Sequence, residues 1–187
     1  MDLVDLILEK RFLGQEFLTW LWWKSEERGG SIALPGEGDI IVVFAKHMLL
    51  ESGEGDSAEK LICTGLQAEL REARTGLQMG KKLEQARIVI NHNSYEYGLT
   101  LAAALMEFRN VRLPKTAESE DDGKMGGNEA LEGMLLERIY LFEQLVMLVH
   151  ALFRLFLSVR LSAKWPEELI KIRTWVAQAN RAGSSGE

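Results

Sequence analysis

Three tryptophans fall within four residues, Trp20, Trp22 and Trp23, inside a segment with the apolar spacing of a helix. Leu3, Leu6, Ile7, Phe17, Leu18 and Leu21 recur at three- and four-residue steps. That spacing predicts a helix over 2–27, stopped by Arg28-Gly29-Gly30. At roughly 100° per residue, Trp20 and Trp23 share a side and Trp22 points elsewhere. A helix this aromatic either lies between two layers of its own fold or donates its tryptophans to an interface, where Trp is enriched. Both readings are carried forward, the second naming Trp20, Trp22 and Trp23 as contact residues. Gly14 interrupts the pattern and predicts a kink or two shorter helices.

The character then changes. Ser31 to Gly36 reads as a turn entry, and 39–50, with Ile40, Ile41, Val42, Val43 and Phe44 in a row, as a buried strand. A polar loop over 52–57 leads to a returning strand at 59–64. Residues 67–79 form an amphipathic helix through Leu70, Ala73 and Leu77, with Gly80 as its C-cap. Strands are predicted over 83–91, 95–103 and 105–113. Asn91-His92-Asn93-Ser94 supplies a hairpin turn between the first two, so antiparallel pairing is the default.

An acidic, glycine-bearing linker over 116–128 separates this part from a long helix at 129–161 and a last helix to about residue 179. Pro166 suits the first turn of that last helix. The long helix is apolar on most sides, with Glu143, His150, Arg154 and Ser158 as a thin polar stripe. The excess apolar surface is expected either in the core or against another subunit, with Leu148, Leu152 and Phe156 as the contacts. The stretch 145–157 is too short and too charged for a bilayer span, and Met1-Asp2-Leu3-Val4-Asp5 lacks a basic signal-peptide start. A cytoplasmic protein with no membrane association is the expectation. The division expected is an α+β unit over 1–115, the linker at 116–128, and a helical hairpin at 129–180 packed on the same domain.

Charge is unevenly spread. The chain carries −6 overall, yet 80–115 hold six Lys/Arg against three Asp/Glu. These are Lys81, Lys82, Arg87, Arg109, Arg112 and Lys115. Basic side chains on adjacent strands could follow a phosphate backbone, or simply face water. Chemistry is less visible. His47, His92 and His150 lack the spacing of metal ligands, the single Cys63 reads as a small buried residue, and no phosphate loop, dinucleotide fingerprint or nucleophile elbow is present. The expectation is a non-enzymatic protein without metal or cofactor.

Two stretches resemble a known family. Phe12-Leu13-Gly14-Gln15-Glu16-Phe17-Leu18-Thr19-Trp20-Leu21-Trp22-Trp23 is one. The other runs from Ile62-Cys63-Thr64 through a helix near Ala68 to Met79, then Gly80-Lys81, a strand at 85–90, and Leu105-Met106-Glu107-Phe108-Arg109. In that order they resemble the recombination-associated RdgC proteins, the second stretch matching the family's C-terminal part. The resemblance implies a non-enzymatic protein that binds double-stranded DNA without sequence preference. The family forms ring-shaped dimers that restrain RecA-driven strand exchange. It also implies nucleoid association, with the six basic residues above as phosphate contacts. The alternative from a different class is a protein–protein adaptor or homo-oligomeric subunit of a phage or mobile element, making no DNA contact. The fold expected is α+β: a largely antiparallel sheet of about five strands covered by the N-terminal and long C-terminal helices.

Overall fold

The computed structural model describes residues 3–53, 59–64, 67–115 and 128–178. The first element is an unbroken helix, α1 (Leu3–Glu26), followed by a 3-10 turn over Glu27–Gly30. The strands are β1 (Ser31–Leu34), β2 (Gly38–Ser52) and β3 (Glu59–Thr64) before helix α2 (Gln67–Gln78). After it come β4 (Lys82–His92), β5 (Tyr95–Ala102) and β6 (Glu107–Arg112). Helices α3 (Asn128–Arg160) and α4 (Trp165–Ala177) complete the order.

All strand pairs are antiparallel, in the order β1-β2-β4-β5-β6, with β3 also on β2. β1 pairs with Gly38 to Ile41 and β3 with His47 to Ser52, so two short strands share one edge of the long β2. The α+β class and the antiparallel sheet are as expected, with six strands among the described residues. The additional one is β1. Its segment reads as a turn because Pro35-Gly36 follows at once. Ile32 and Leu34 nevertheless alternate inward with Ala33 outward, and Glu37 N–H donates to Leu34 O at 3.1 Å to close the hairpin.

Local chemistry explains the ends. At Asn93 and Ser94, φ is 49° and 68°, the left-handed pair that a two-residue hairpin needs. Helix α2 stops at Gly80, where Gly80 N–H donates to Leu77 O and Lys81 N–H to Gly76 O, both at 3.0 Å, a Schellman closure. Pro166 stands in the first turn of α4 with Glu167 and Glu168, acidic side chains that complement the helix dipole.

The helices lie on one face of the sheet, and α1 is innermost. Phe17, Leu18, Trp20, Leu21, Trp22 and Trp23 are all buried. On one side α1 meets β2 and β4; on the others it meets α3 and α4. Trp22 is edge-on to Trp175 of α4 at 5.0 Å between centroids and stacks on Phe44 of β2. Trp20 and Phe17 pack with Phe156 of α3, each at 5.6 Å. Gly14 neither kinks nor divides the helix. It lets α1 touch the backbone at Ala103, where a Cβ would lie 2.0 Å from the carbonyl oxygen. Sheet, α1, α3 and α4 share one hydrophobic core, which joins the expected helical hairpin to the sheet unit. Of the expected 116–128 linker, 116–127 lie outside the described residues, and Asn128 already opens α3.

This core corrects the expected interface. Trp20, Trp22, Trp23, Leu148, Leu152 and Phe156 are each no more than 4% exposed. They are consumed by packing α3 and α4 on α1, so none is available to a partner. The first of the two readings of the aromatic helix, between layers, is the one the fold adopts.

Candidate nucleic-acid interface

Strand alternation sends Ile40, Val42, Ile88, Ile90, Tyr97 and Leu99 toward the helices. Their neighbours point to the other face, which carries no helix among the described residues. The pairing register lays this face out in rows. One row runs Ala45, Arg87, Thr100, Arg109 across β2, β4, β5 and β6. The next runs Val43, Val89, Gly98, Arg112. A third runs Ile62, Leu49, Gln85, Ala102, Glu107 from β3 to β6. Arg109 and Arg112 share the face although three residues apart, because an irregularity in the β5–β6 pairing absorbs one residue where Asn110 has φ 50°.

Three of the six predicted phosphate contacts therefore stand together. At their centre is Gly98. A Cβ built there would lie 3.5 Å from Arg112 Cβ and 4.0 Å from Arg87 Nη2, so both arginines close over the glycine. Among the described residues neither Arg87 nor Arg112 has an acidic partner. Thr100 and Ala102, small and buried, are sheltered by the long side chains of the flanking strands. Arg109 differs. It donates to Glu107 at 2.6 Å, which raises the guanidinium pKa and holds the Glu107 carboxyl below the usual range. Both partners are about half exposed, so water screens the pair.

The other three stand apart. Lys81 donates to Glu59 at 2.9 Å and to Ser52 at 3.1 Å, tying the start of β4 to β3; its hydrogen bond lowers the Glu59 pKa. Lys81 and Lys82 border a cleft with Phe12, Trp165 and Leu169, on the helical side. Lys115 is exposed beyond the end of β6. Linear charge density groups all six, but the sheet brings only Arg87, Arg109 and Arg112 onto one face. Sequence reading missed Gly98, Thr100 and Glu107 as members of this face. The signal was present in the Asn91 to Ser94 turn, whose register sets Thr100 against Arg87 and Gly98 against Val89.

Elsewhere the polar groups are built for architecture. At a bulge in β4, buried Glu84 accepts from Arg11 Nε at 3.0 Å and also from Gln15. Arg11 bonds Glu51 as well, so one guanidinium spans two carboxylates. Partial burial pulls the Arg11 pKa down, and the Glu84 and Glu51 contacts outweigh this to raise it. Arg74 lies over the Trp175 and Trp22 rings and pairs with Glu26, whose Oε2 also accepts from Trp175 Nε1 at 2.8 Å. His92 Nε2 lies 3.0 Å from Glu37 O, at the end of β4. No group of three or more His, Cys, Asp or Glu suited to a metal occurs among the described residues. One helix, Leu131–Arg160, is long and apolar enough to cross a membrane. It is longer than the 145–157 stretch weighed from sequence, and its C-terminal half is the core helix just described.

No protein-family model, curated protein or solved structure matches this chain.

Proposed function

We propose that this chain is an RdgC-like, non-enzymatic protein that binds double-stranded DNA without sequence preference, through the helix-free face of its sheet. The observation that carries the reading is the closure of Arg87 and Arg112 over Gly98 with no carboxylate between them. Two like charges held side by side repel, and an arriving phosphate removes that cost while accepting charge-assisted hydrogen bonds. Arg109, one row away, extends the basic surface along β6. The remaining side chains of the face favour backbone contact over base stacking: Ile41, Val43, Leu49, Ile62 and Val89 are aliphatic and offer no aromatic platform. Binding by phosphate contacts alone is sequence-independent and falls steeply with salt.

The test is fluorescence anisotropy of labelled duplex and single-stranded DNA between about 50 and 200 mM salt. Saturable, salt-sensitive binding that prefers duplex supports the proposal. So does its loss in Arg87→Glu with Arg112→Glu, regardless of sequence. Equal binding by wild type and that variant would remove the sheet face from consideration.

A second reading, a protein–protein adaptor or homo-oligomeric subunit without DNA contact, is favoured by one observation: the first half of α3 is apolar and exposed. The buried residues first expected to serve that role cannot do so.

A further inference from the structure

Helix α3 is about 50 Å long, but only its second half packs. No residue from Leu131 to Tyr140 is buried; burial begins at Leu141. In this free stretch Leu131, Leu135, Leu136, Ile139, Tyr140 and Phe142 are each between 41% and 69% exposed. Leu131, Leu135, Ile139 and Phe142 follow one another at steps of four, four and three, which makes a continuous stripe along the helix. A soluble chain rarely leaves so much contiguous apolar surface to water.

We infer that this stripe is a dimer contact, packed antiparallel against the same stripe of a second copy. The area fits. Covering these six side chains removes about 700 Å² from each copy, about 1,400 Å² in all, within the range of stable specific interfaces. The spacing fits too, since three- and four-residue steps of Leu, Ile and Phe form the seam by which helices pair with their own kind. A two-fold arrangement uses the same patch on both copies and closes without leaving a free end. The charges argue against a lipid occupant. Between Leu131 and Met147 stand Glu132, Glu137 and Glu143 against one Arg138, an acidic balance. Helices that lie on membranes are rich in Lys and Arg on the polar face, and each carboxylate drawn into lipid costs several kcal/mol. At a helix pair these carboxylates stay at the wet flanks.

The contact lies on the helical side of the molecule, and the inference does not depend on DNA binding. Where both hold, the dimer carries two basic sheet faces on one particle, and binding of the second becomes intramolecular.

Sedimentation equilibrium at about 50 μM protein tests this, since interfaces of this size range from micromolar to picomolar affinity. Wild type should sediment at twice the 21.1 kDa chain mass. Leu135→Glu with Ile139→Glu should sediment at the single-chain mass with unchanged tryptophan fluorescence. Should that variant unfold, Leu135→Ala with Ile139→Ala gives the same reading as a tenfold or greater rise in the dimer dissociation constant. A wild-type monomer at this concentration overturns the inference, as does a dimer indifferent to both variants. Flotation with phosphatidylcholine vesicles completes the test. A monomer that floats with them assigns the stripe to lipid instead, and also overturns it.

Discussion

Gly14→Ala sets two opposing effects against each other on α1. In an exposed helix, replacing Gly by Ala stabilises by about 1 kcal/mol through backbone entropy and propensity. At Gly14 the new Cβ would lie 2.0 Å from Ala103 O, 2.7 Å from its carbonyl carbon and 2.9 Å from its Cα, where ordinary contact starts at 3.4 Å. All three are backbone atoms at the end of β5, so no side chain can swing away. The helix must retreat by more than an ångström, and a gap of that size forfeits a quarter to a half of each dispersion contact it opens. Overpacking of this kind costs about 1–3 kcal/mol, and α1 is held on the sheet and on two helices at once, so the upper end applies. After the propensity gain, the net expectation is a loss of about 2 kcal/mol or more. For a chain of this length that lowers Tm by roughly 4–8 °C. Urea and thermal unfolding followed by tryptophan fluorescence measure it. Gly133→Ala is the control, since a Cβ there meets nothing within 4 Å and α3 should gain up to about 1 kcal/mol. If Gly14→Ala proves as stable as wild type, the close approach of α1 to Ala103 is not a packing constraint, and the reasoning fails.

Other expectations follow from the same geometry. Gly98→Glu should place a carboxylate between Arg87 and Arg112 and abolish DNA binding in anisotropy while leaving Tm at or above the wild-type value. Glu107→Gln should release Arg109 from its 2.6 Å partner, tighten DNA binding and steepen the salt dependence by about one phosphate contact. Arg11→Met should destabilise by roughly 3 kcal/mol in urea at neutral pH, because Glu84 and Glu51 then face each other half-buried without a cation. Part of that loss should return near pH 4, as one carboxylate protonates. Trp175→Phe should cost about 1–2 kcal/mol by removing the 2.8 Å bond to Glu26 and one wall around Arg74.

Most of the elements were legible where a period or a turn residue marks them. The α2 helix with its Gly80 stop, the Asn93-Ser94 hairpin and the Pro166 start of α4 each rest on local chemistry, and each appears where that chemistry puts it. What local pattern could not supply was the partner of each apolar surface. Trp20, Trp22 and Trp23 look alike whether they meet α3 and α4 or another chain. The apolar sides of α3 likewise look alike at Leu131 and at Leu152, yet one is exposed and the other buried. The site shows the same limit. Six basic residues are neighbours in composition, but β-register selects three, and Gly98, which has no side chain to notice, is where two of them meet.

The innermost position of α1 has a consequence for biosynthesis. Its tryptophans leave the ribosome before any strand of the sheet exists. Their last neighbour, Trp175, is added some 150 residues later; the Glu26–Trp175 bond spans 149 positions. Until then the most aromatic surface of the molecule has no place to go, and contacts this distant in sequence form slowly. Nascent chains stalled before α4 should thus be the aggregation-prone species, and the ones a chaperone holds.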